Sequence, residues 1–306
     1  MTEAAESQDA NPLATVDGLA DQIKKIRNRP LLVMYYPGSE GSIRDSDVRD
    51  VYNEFRTRGC SKSGQEGRAL DVLLHTYGGD PIASYRLAQV IRDFSNNVVF
   101  LVPEHAYSGG TLLCLSGNTI RLGACAALSP IDITLGVGTE QEDQAIQLLN
   151  VDYYLKFVTD CRHTIEEMLE KKHENGKTTN VECELLGKMV EQVGALNVGY
   201  FYRERTITGH YANRLLIDYM LVNKLNKKDL ASRIIQTLLF EMPSHNFSMD
   251  FHICQEMSLP VEEMADDESD MTKQLVYELT NAAQDGIICR EVANNYKLPY
   301  FRLYSV

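Results

Sequence analysis

The chain has 306 residues, of which 44% are hydrophobic, enough to bury one large core or one core with a smaller appended domain. Its formal net charge of −13 repels a phosphate backbone, which argues against general nucleic-acid binding. No window approaches the roughly eighteen apolar residues of a membrane span, and the acidic, polar first residues lack a secretion-signal pattern, so we expect a cytoplasmic protein with no membrane span.

Cysteine usage excludes two further classes. The seven cysteines are scattered without a C-x-x-C pair, and the sparse His/Cys pairs at residues 161–163 and 252–254 lack the four-ligand spacing of a zinc site. The sequence therefore predicts a reducing compartment, with no disulfide framework and no metal. No cofactor is expected either.

The first half of the chain alternates short apolar runs with segments of helical spacing. The predicted strands cover residues 31–36, 69–75, 98–102, 119–122 and 125–128. The predicted helices cover residues 13–28, 46–56, 81–94 and 108–116. Strands that alternate with helices are typical of right-handed crossover units, so we expect an α/β fold with a largely parallel sheet.

From about residue 140 the pattern becomes helical. The predicted helices there cover residues 144–172, 180–196, 210–225 and 229–240. An acidic run between Glu262 and Asp270 is typical of a solvated linker. The expected organisation is a disordered tail (1–12), an α/β domain (13–260) with a helical second half (about 140–260), an acidic linker (261–270), and a C-terminal helix and tail (271–306).

Two predicted turns at strand ends have unusual sequences, and in α/β sheets such turns carry functional groups. In the first, Gly78 and Gly79 precede a helix that begins with proline, and paired glycines let backbone N–H groups approach a ligand oxygen. In the second, Ser108 is followed by Gly109 and Gly110, which places its hydroxyl at a helix N-terminus. This is a setting for a nucleophile, although a serine there is more often an N-cap.

The order of these motifs resembles a known group. It is similar to the order in the core of the Clp protease subunit and of signal peptide peptidase A. The order in this chain is a strand, Gly78-Gly79, a helix, a strand, the serine turn at 106–110, an apolar helix and the segment 128–132. Within this Clp protease/crotonase fold group, the chain most closely resembles the serine dehydrogenase proteinase family. The resemblance covers about residues 30–260 and implies stacked βα units with a largely parallel sheet, followed by a helical C-terminal part.

The resemblance also implies roles for individual residues. Ser108 would be the nucleophile, and backbone N–H groups of Gly109 and of Gly78 or Gly79 would form the oxyanion hole. A Clp protease carries its histidine about 25 residues after the serine, and no histidine stands there in this chain.

Two residues are candidates for the general base. Signal peptide peptidases use a lysine, and Lys156 lies in an apolar, aromatic stretch that could lower its pKa, although an amphipathic lysine that reaches water would have the same surroundings. His245 lies in a Ser-His pair similar to a later family motif, but it could equally cap a helix near Asp250. His75 and His105 are expected to be structural, with His105 near the pocket.

Three functions are consistent with this sequence. The first is a serine peptidase-like hydrolase with a peptide or protein substrate. The second is an inactive scaffold or binding protein of the same fold, since the usual histidine is missing, and the third is crotonase-like chemistry on an acyl-CoA. The resemblance further implies a homo-oligomer.

Overall fold

A computed structural model describes most of the chain. The described residues are 12–38, 41–60, 68–131, 134–136, 145–147, 159, 163, 188, 195–289, 291–292 and 296–305. The helices are α1 (Pro12–Arg27), α2 (Asp45–Thr57), α3 (Pro81–Phe94), α4 (Gly109–Cys114), α5 (Ala195–Leu215), α6 (Lys227–Gln236), α7 (Phe251–Glu256) and α8 (Asp266–Gln284). Helices α5 and α6 each continue into a π-helical segment, Leu216–Met220 and Thr237–Glu241.

The strands form one large sheet and three small pairs. The strands are β1 (Leu31–Tyr35), β2 (Ala69–His75), β3 (Asn97–Val102), β4 (His105–Ala106), β5 (Thr119–Leu122), β6 (Ala127–Leu128), β7 (Thr134–Gly136), β8 (Ala145–Gln147), β9 (Val261–Glu263), β10 (Glu291–Val292), β11 (Tyr296–Lys297) and β12 (Tyr300–Tyr304). The large sheet has the order β12-β1-β2-β3-β5-β9, in which β12 is antiparallel to β1 and every other pair is parallel. The expected α/β class with a mostly parallel sheet is confirmed.

The central strands β1, β2 and β3 are buried on both faces because most of their side chains are apolar. In β1 the side chains alternate between two cores, with Leu32 and Met34 in one and Leu31 and Val33 in the other. Side chains of α2 to α6 complete the first core, and side chains of α1 and α8 complete the second. The first core supports the strand ends and the serine turn.

An ion-pair network joins the sheet to α8 and to the end of α1. Asp71 in β2 is 1% exposed, and its carboxylate accepts hydrogen bonds from Arg27, at 2.7 Å, and from Arg29. The buried Glu268 of α8 lies 3.6 Å from Arg27 and accepts a hydrogen bond of 2.7 Å from Arg121 of β5. Each buried carboxylate is thereby neutralised by arginines from a different element.

Most predicted elements of the first half agree with the structure. The predicted segments 69–75, 81–94 and 119–122 coincide with β2, α3 and β5, and the other elements in this half differ by a few residues at their ends. The predicted tail and parts of the helical second half lie outside the described residues. No described helix combines the length and the apolar surface that a bilayer crossing requires.

Two predictions are wrong. The helix predicted from residue 144 is a strand over Ala145–Gln147, which pairs antiparallel with β7. The acidic run at 261–270 is not a linker, because Val261–Glu263 forms the edge strand β9 and the acidic residues that follow open α8. Two interactions stabilise this acidic segment in a folded form. Acidic side chains are favourable at a helix N-terminus, and Arg121 forms ion pairs with both Glu262 and Glu268.

We expect Asp71→Ala to lower the free energy of unfolding by about 3–5 kcal/mol, because two largely buried guanidinium groups lose their counter-charge. The matched control is Asp45→Ala, which removes a carboxylate from the exposed Asp45–Arg86 pair and should cost only about 0–1 kcal/mol. Urea denaturation of both variants measures the difference. Equal shifts in the two midpoints would contradict the structural role assigned to Asp71.

Candidate active site

The glycine turn follows β2. Gly78 and Gly79 have φ values of +112° and +145°, which side-chain-bearing residues rarely adopt. Backbone hydrogen bonds hold Ile43 against the turn, with Ile43 N–H donating to Gly78 O at 2.8 Å and Asp80 N–H donating to Ile43 O at 2.9 Å. A Cβ on Gly79 would stand 2.3 Å from the backbone nitrogen of Ile43, so this close approach requires glycine.

The two glycine amides differ in what they can bind. The N–H of Gly78 donates to Thr76 Oγ1 at 3.0 Å within the turn itself. Within the described part of the chain, the N–H of Gly79 donates no hydrogen bond, although Gly79 lines a pocket. Of the two glycines, Gly79 therefore has the amide that is available to a ligand.

The serine turn connects β4 to α4. Ser108 has φ +49° and ψ −112°, a strained conformation for a residue with a side chain. Its N–H donates to Ser129 Oγ at 2.7 Å, and the N–H of Ser129 in turn donates to Thr111 Oγ1 at 3.1 Å. The Ser108 side chain makes no capping hydrogen bond to α4, so this serine stands at the N-cap position without acting as the N-cap.

The two turns lie against each other. Thr76 and Ala106 form a parallel bridge, in which Thr76 N–H donates to His105 O at 3.2 Å and Tyr107 N–H donates to Thr76 O at 3.0 Å. A Cβ built on Gly78 would lie 2.9 Å from the Cβ of Ser108. The glycine turn is thus in van der Waals contact with the serine.

The amides of Gly79 and Gly109 are also brought together. A Cβ built on Gly109 would lie 3.1 Å from the nitrogen of Gly79 and 2.8 Å from its oxygen. As N1 of α4, Gly109 has an amide with no partner inside the helix, and no other described residue accepts from it. Two backbone donors with unused hydrogens are therefore adjacent, next to the Ser108 side chain.

These groups open into a pocket of about 290 Å³. Its lining residues are Tyr77, Gly79, Asp80, Pro81, Ser108, Gly109, Leu112, Ile131, Thr208 and His245. Stacking of Tyr211 on Tyr85, with ring centroids 4.3 Å apart, places α5 and its Thr208 over the pocket. Thr208 Oγ1 is buried and has no hydrogen-bond partner among the described residues, and no sequence motif indicated its position here.

His245 reaches the pocket because its segment is fixed to β6. Leu128 and Met249 form an antiparallel bridge with hydrogen bonds of 3.0 and 2.9 Å in the two directions. Asp250 caps α7 by accepting from Ile253 N–H at 2.9 Å, so His245 is not the cap of that helix. Lys156, the other candidate base, lies outside the described residues.

A second polar cluster lies at the strand ends that precede the two turns. His75, at the end of β2, and His105, in β4, have ring centroids 4.1 Å apart, and neither is among the residues that line the pocket. Burial lowers the pKa of His75 to about 3, with a further contribution from His105, and burial lowers the pKa of His105 to about 4. Both imidazoles are therefore neutral near pH 7.

Three known proteins show partial similarity. Two are uncharacterized proteins of Methanocaldococcus jannaschii: one is 24% identical over 133 residues, covering 39% of this chain and 45% of the relative, and the other is 31% identical over 75 residues, covering 24% and 26%. The chain thus spans less than half the length of these relatives. The solved structure of a mutant membrane-bound stomatin-specific protease is 12% identical, with a TM-score of 0.41 over 76% of this chain and 79% of that one.

Part of the sequence matches a known protein family. Residues 56–190 match the family described as ClpP-like SDH-type serine proteinases, and this segment contains both the glycine turn and the serine turn. The resemblance seen in the sequence is thereby confirmed over residues 56–190, which are similar to the ClpP-like SDH-type serine proteinases.

Proposed function

We propose that the chain is a serine peptidase-like hydrolase in which Ser108 is the nucleophile. The observation that carries the proposal is the serine turn: Ser108 has a strained left-handed φ, lines a pocket and leaves its hydroxyl out of helix capping. A strained residue is maintained where the surrounding structure over-determines it, and such residues cluster at functional sites. The family adds the class of substrate, a peptide bond.

In the proposed reaction, Ser108 Oγ attacks the carbonyl carbon of the peptide bond while a base takes the hydroxyl proton. The carbonyl oxygen becomes an oxyanion that accepts hydrogen bonds from the N–H groups of Gly79 and Gly109. The tetrahedral intermediate collapses to an acyl-serine, and the amine leaves with a proton from the protonated base. Water then attacks the ester by the same route and restores the serine.

We propose that the base is Lys156 or His245, and a different observation supports each residue. Lys156 is the lysine that the resemblance to signal peptide peptidases implies. His245 is supported by its place in the pocket that also holds Ser108. Imidazole and a desolvated amine are both suitable proton acceptors for a serine hydroxyl.

We expect Ser108→Ala to abolish labelling by a fluorophosphonate serine-hydrolase probe without unfolding the protein, because the removed hydroxyl makes no capping bond. Ser258→Ala is the matched control, since Ser258 also has a positive φ, +65°, but does not line the pocket. Gel fluorescence after labelling, with melting temperatures of both variants, provides the measurement. Undiminished labelling of folded Ser108→Ala would exclude the nucleophile, and an unlabelled wild type would favour the scaffold function.

We expect Gly109→Ala to slow probe labelling by on the order of 10²-fold, because the new Cβ would crowd Gly79 and displace the two oxyanion donors. Gly199→Ala is the control, since a Cβ on Gly199 meets nothing within 4 Å. The measurement is the rate constant of probe labelling for each variant and for the wild type, and circular dichroism shows whether the variant is folded. A folded Gly109→Ala that is labelled at the wild-type rate would remove the oxyanion hole from the proposal.

The variants Lys156→Met and His245→Gln assign the base. We expect only one of them to lower the labelling rate, by about 10²- to 10⁴-fold, because removal of a general base costs that much. If the base is Lys156, the wild-type rate should rise with pH through a value well below the ordinary lysine pKa of about 10.4. Full activity in both variants would show that neither residue is the base.

A further inference from the structure

Three potential metal ligands converge beside the strand ends that carry the active-site turns. They are His75, at the end of β2, Glu104, in the turn after β3, and His105, in β4. One ligand atom from each lies within 4.8 Å of those from the other two. The separation between His75 Nδ1 and Glu104 Oε2 is 3.4 Å, without a hydrogen bond between them.

Among the residues that the structure describes, one nitrogen of each histidine in this cluster has no hydrogen-bond partner. His75 is only 5% exposed, and its Nδ1 is buried without a hydrogen bond. His105 Nε2 is likewise buried and unsatisfied. A buried polar atom with no partner costs about 1–3 kcal/mol, so two of them on imidazole rings whose centroids are 4.1 Å apart call for a ligand that interacts with both.

Coordination by a cation satisfies these atoms. A neutral imidazole nitrogen that makes no hydrogen bond has a lone pair that can bind a metal. Glu104 has a side chain that is 45% exposed, which leaves a route for an ion from solvent. Two imidazoles and one carboxylate are a common ligand set for divalent transition metals, zinc among them.

We propose that His75, Glu104 and His105 bind one divalent transition-metal ion, for which Zn²⁺ has the best-fitting chemistry. Two ligands bonded to a tetrahedral zinc at about 2.1 Å are about 3.4 Å apart, which is the separation of His75 from Glu104. The other ligand pairs lie within 4.8 Å of each other, so they approach further when the ion binds. Three protein ligands leave the fourth coordination position for water.

A bound ion would affect how the two turns of the proposed hydrolase are held relative to each other. His75 is followed directly by the turn that contains Gly79, and His105 precedes Ser108 by three residues in the serine turn. A metal bound to both histidines joins the two turns through residues that do not line the pocket. It would stabilise the relative position of the serine and the oxyanion donors without contacting the reacting atoms.

The test uses the full-length protein after treatment with a chelator. Zn²⁺ is titrated in competition with a chromogenic chelator, and Co²⁺ serves as a spectroscopic substitute. We expect Glu104→Gln and His105→Ala to weaken the binding of one equivalent by more than the roughly 10- to 100-fold that loss of an outer-sphere partner costs. His252→Ala, which removes an exposed histidine outside the cluster, should bind as the wild type does.

Melting temperatures provide the second readout. Zn²⁺ should raise the melting temperature of the wild type and of Ser108→Ala, but not that of Glu104→Gln, because an ion that binds only the folded state stabilises it. Zinc binding by Ser108→Ala separates this inference from the proposed hydrolase. The proposal is overturned if the wild type binds no Zn²⁺, or if folded Glu104→Gln and His105→Ala both bind as tightly as the wild type.

Discussion

The pairing of Thr76 with Ala106 is the constraint on which the rest of the site depends. Its hydrogen bonds fix the register between the chain leaving β2 and the chain entering the serine turn. Since side chains alternate along extended backbone, one register brings Gly78 against Ser108 and brings His75 against His105. A slip by one residue would exchange these faces and separate both groups.

The sequence predicted the local elements well and the long-range contacts poorly. Residues 69–75 and 81–94 have strong apolar patterns and clear stop signals, so their bounds were correct. The acidic run was misread because its meaning depends on Arg121, which lies 141 residues before Glu262 in the chain. A pattern that is confined to neighbouring residues cannot reveal such a partner.

In the candidate site, too, local features could be predicted from the sequence and long-range contacts could not. The glycines and Ser108 were visible because a turn at a strand end has its own sequence signature. Two other features depend on side-chain positions that packing sets. They are the hydrogen bond from Gly78 N–H to Thr76 Oγ1 and the position of Thr208 in the pocket lining. The cluster of His75, Glu104 and His105 was missed because its members come from two strand ends and show no motif spacing.

The position of β12 has a consequence for how the protein forms in the cell. This strand covers one side of β1, and the hydroxyl of its Tyr304 donates to Asp17 of α1, 287 residues earlier in the chain. At a synthesis rate of about 5–20 residues per second, the emerging polypeptide waits on the order of tens of seconds for this partner. During translation, the outer edge of β1 therefore presents unpaired backbone groups with which other chains can pair until β12 is made.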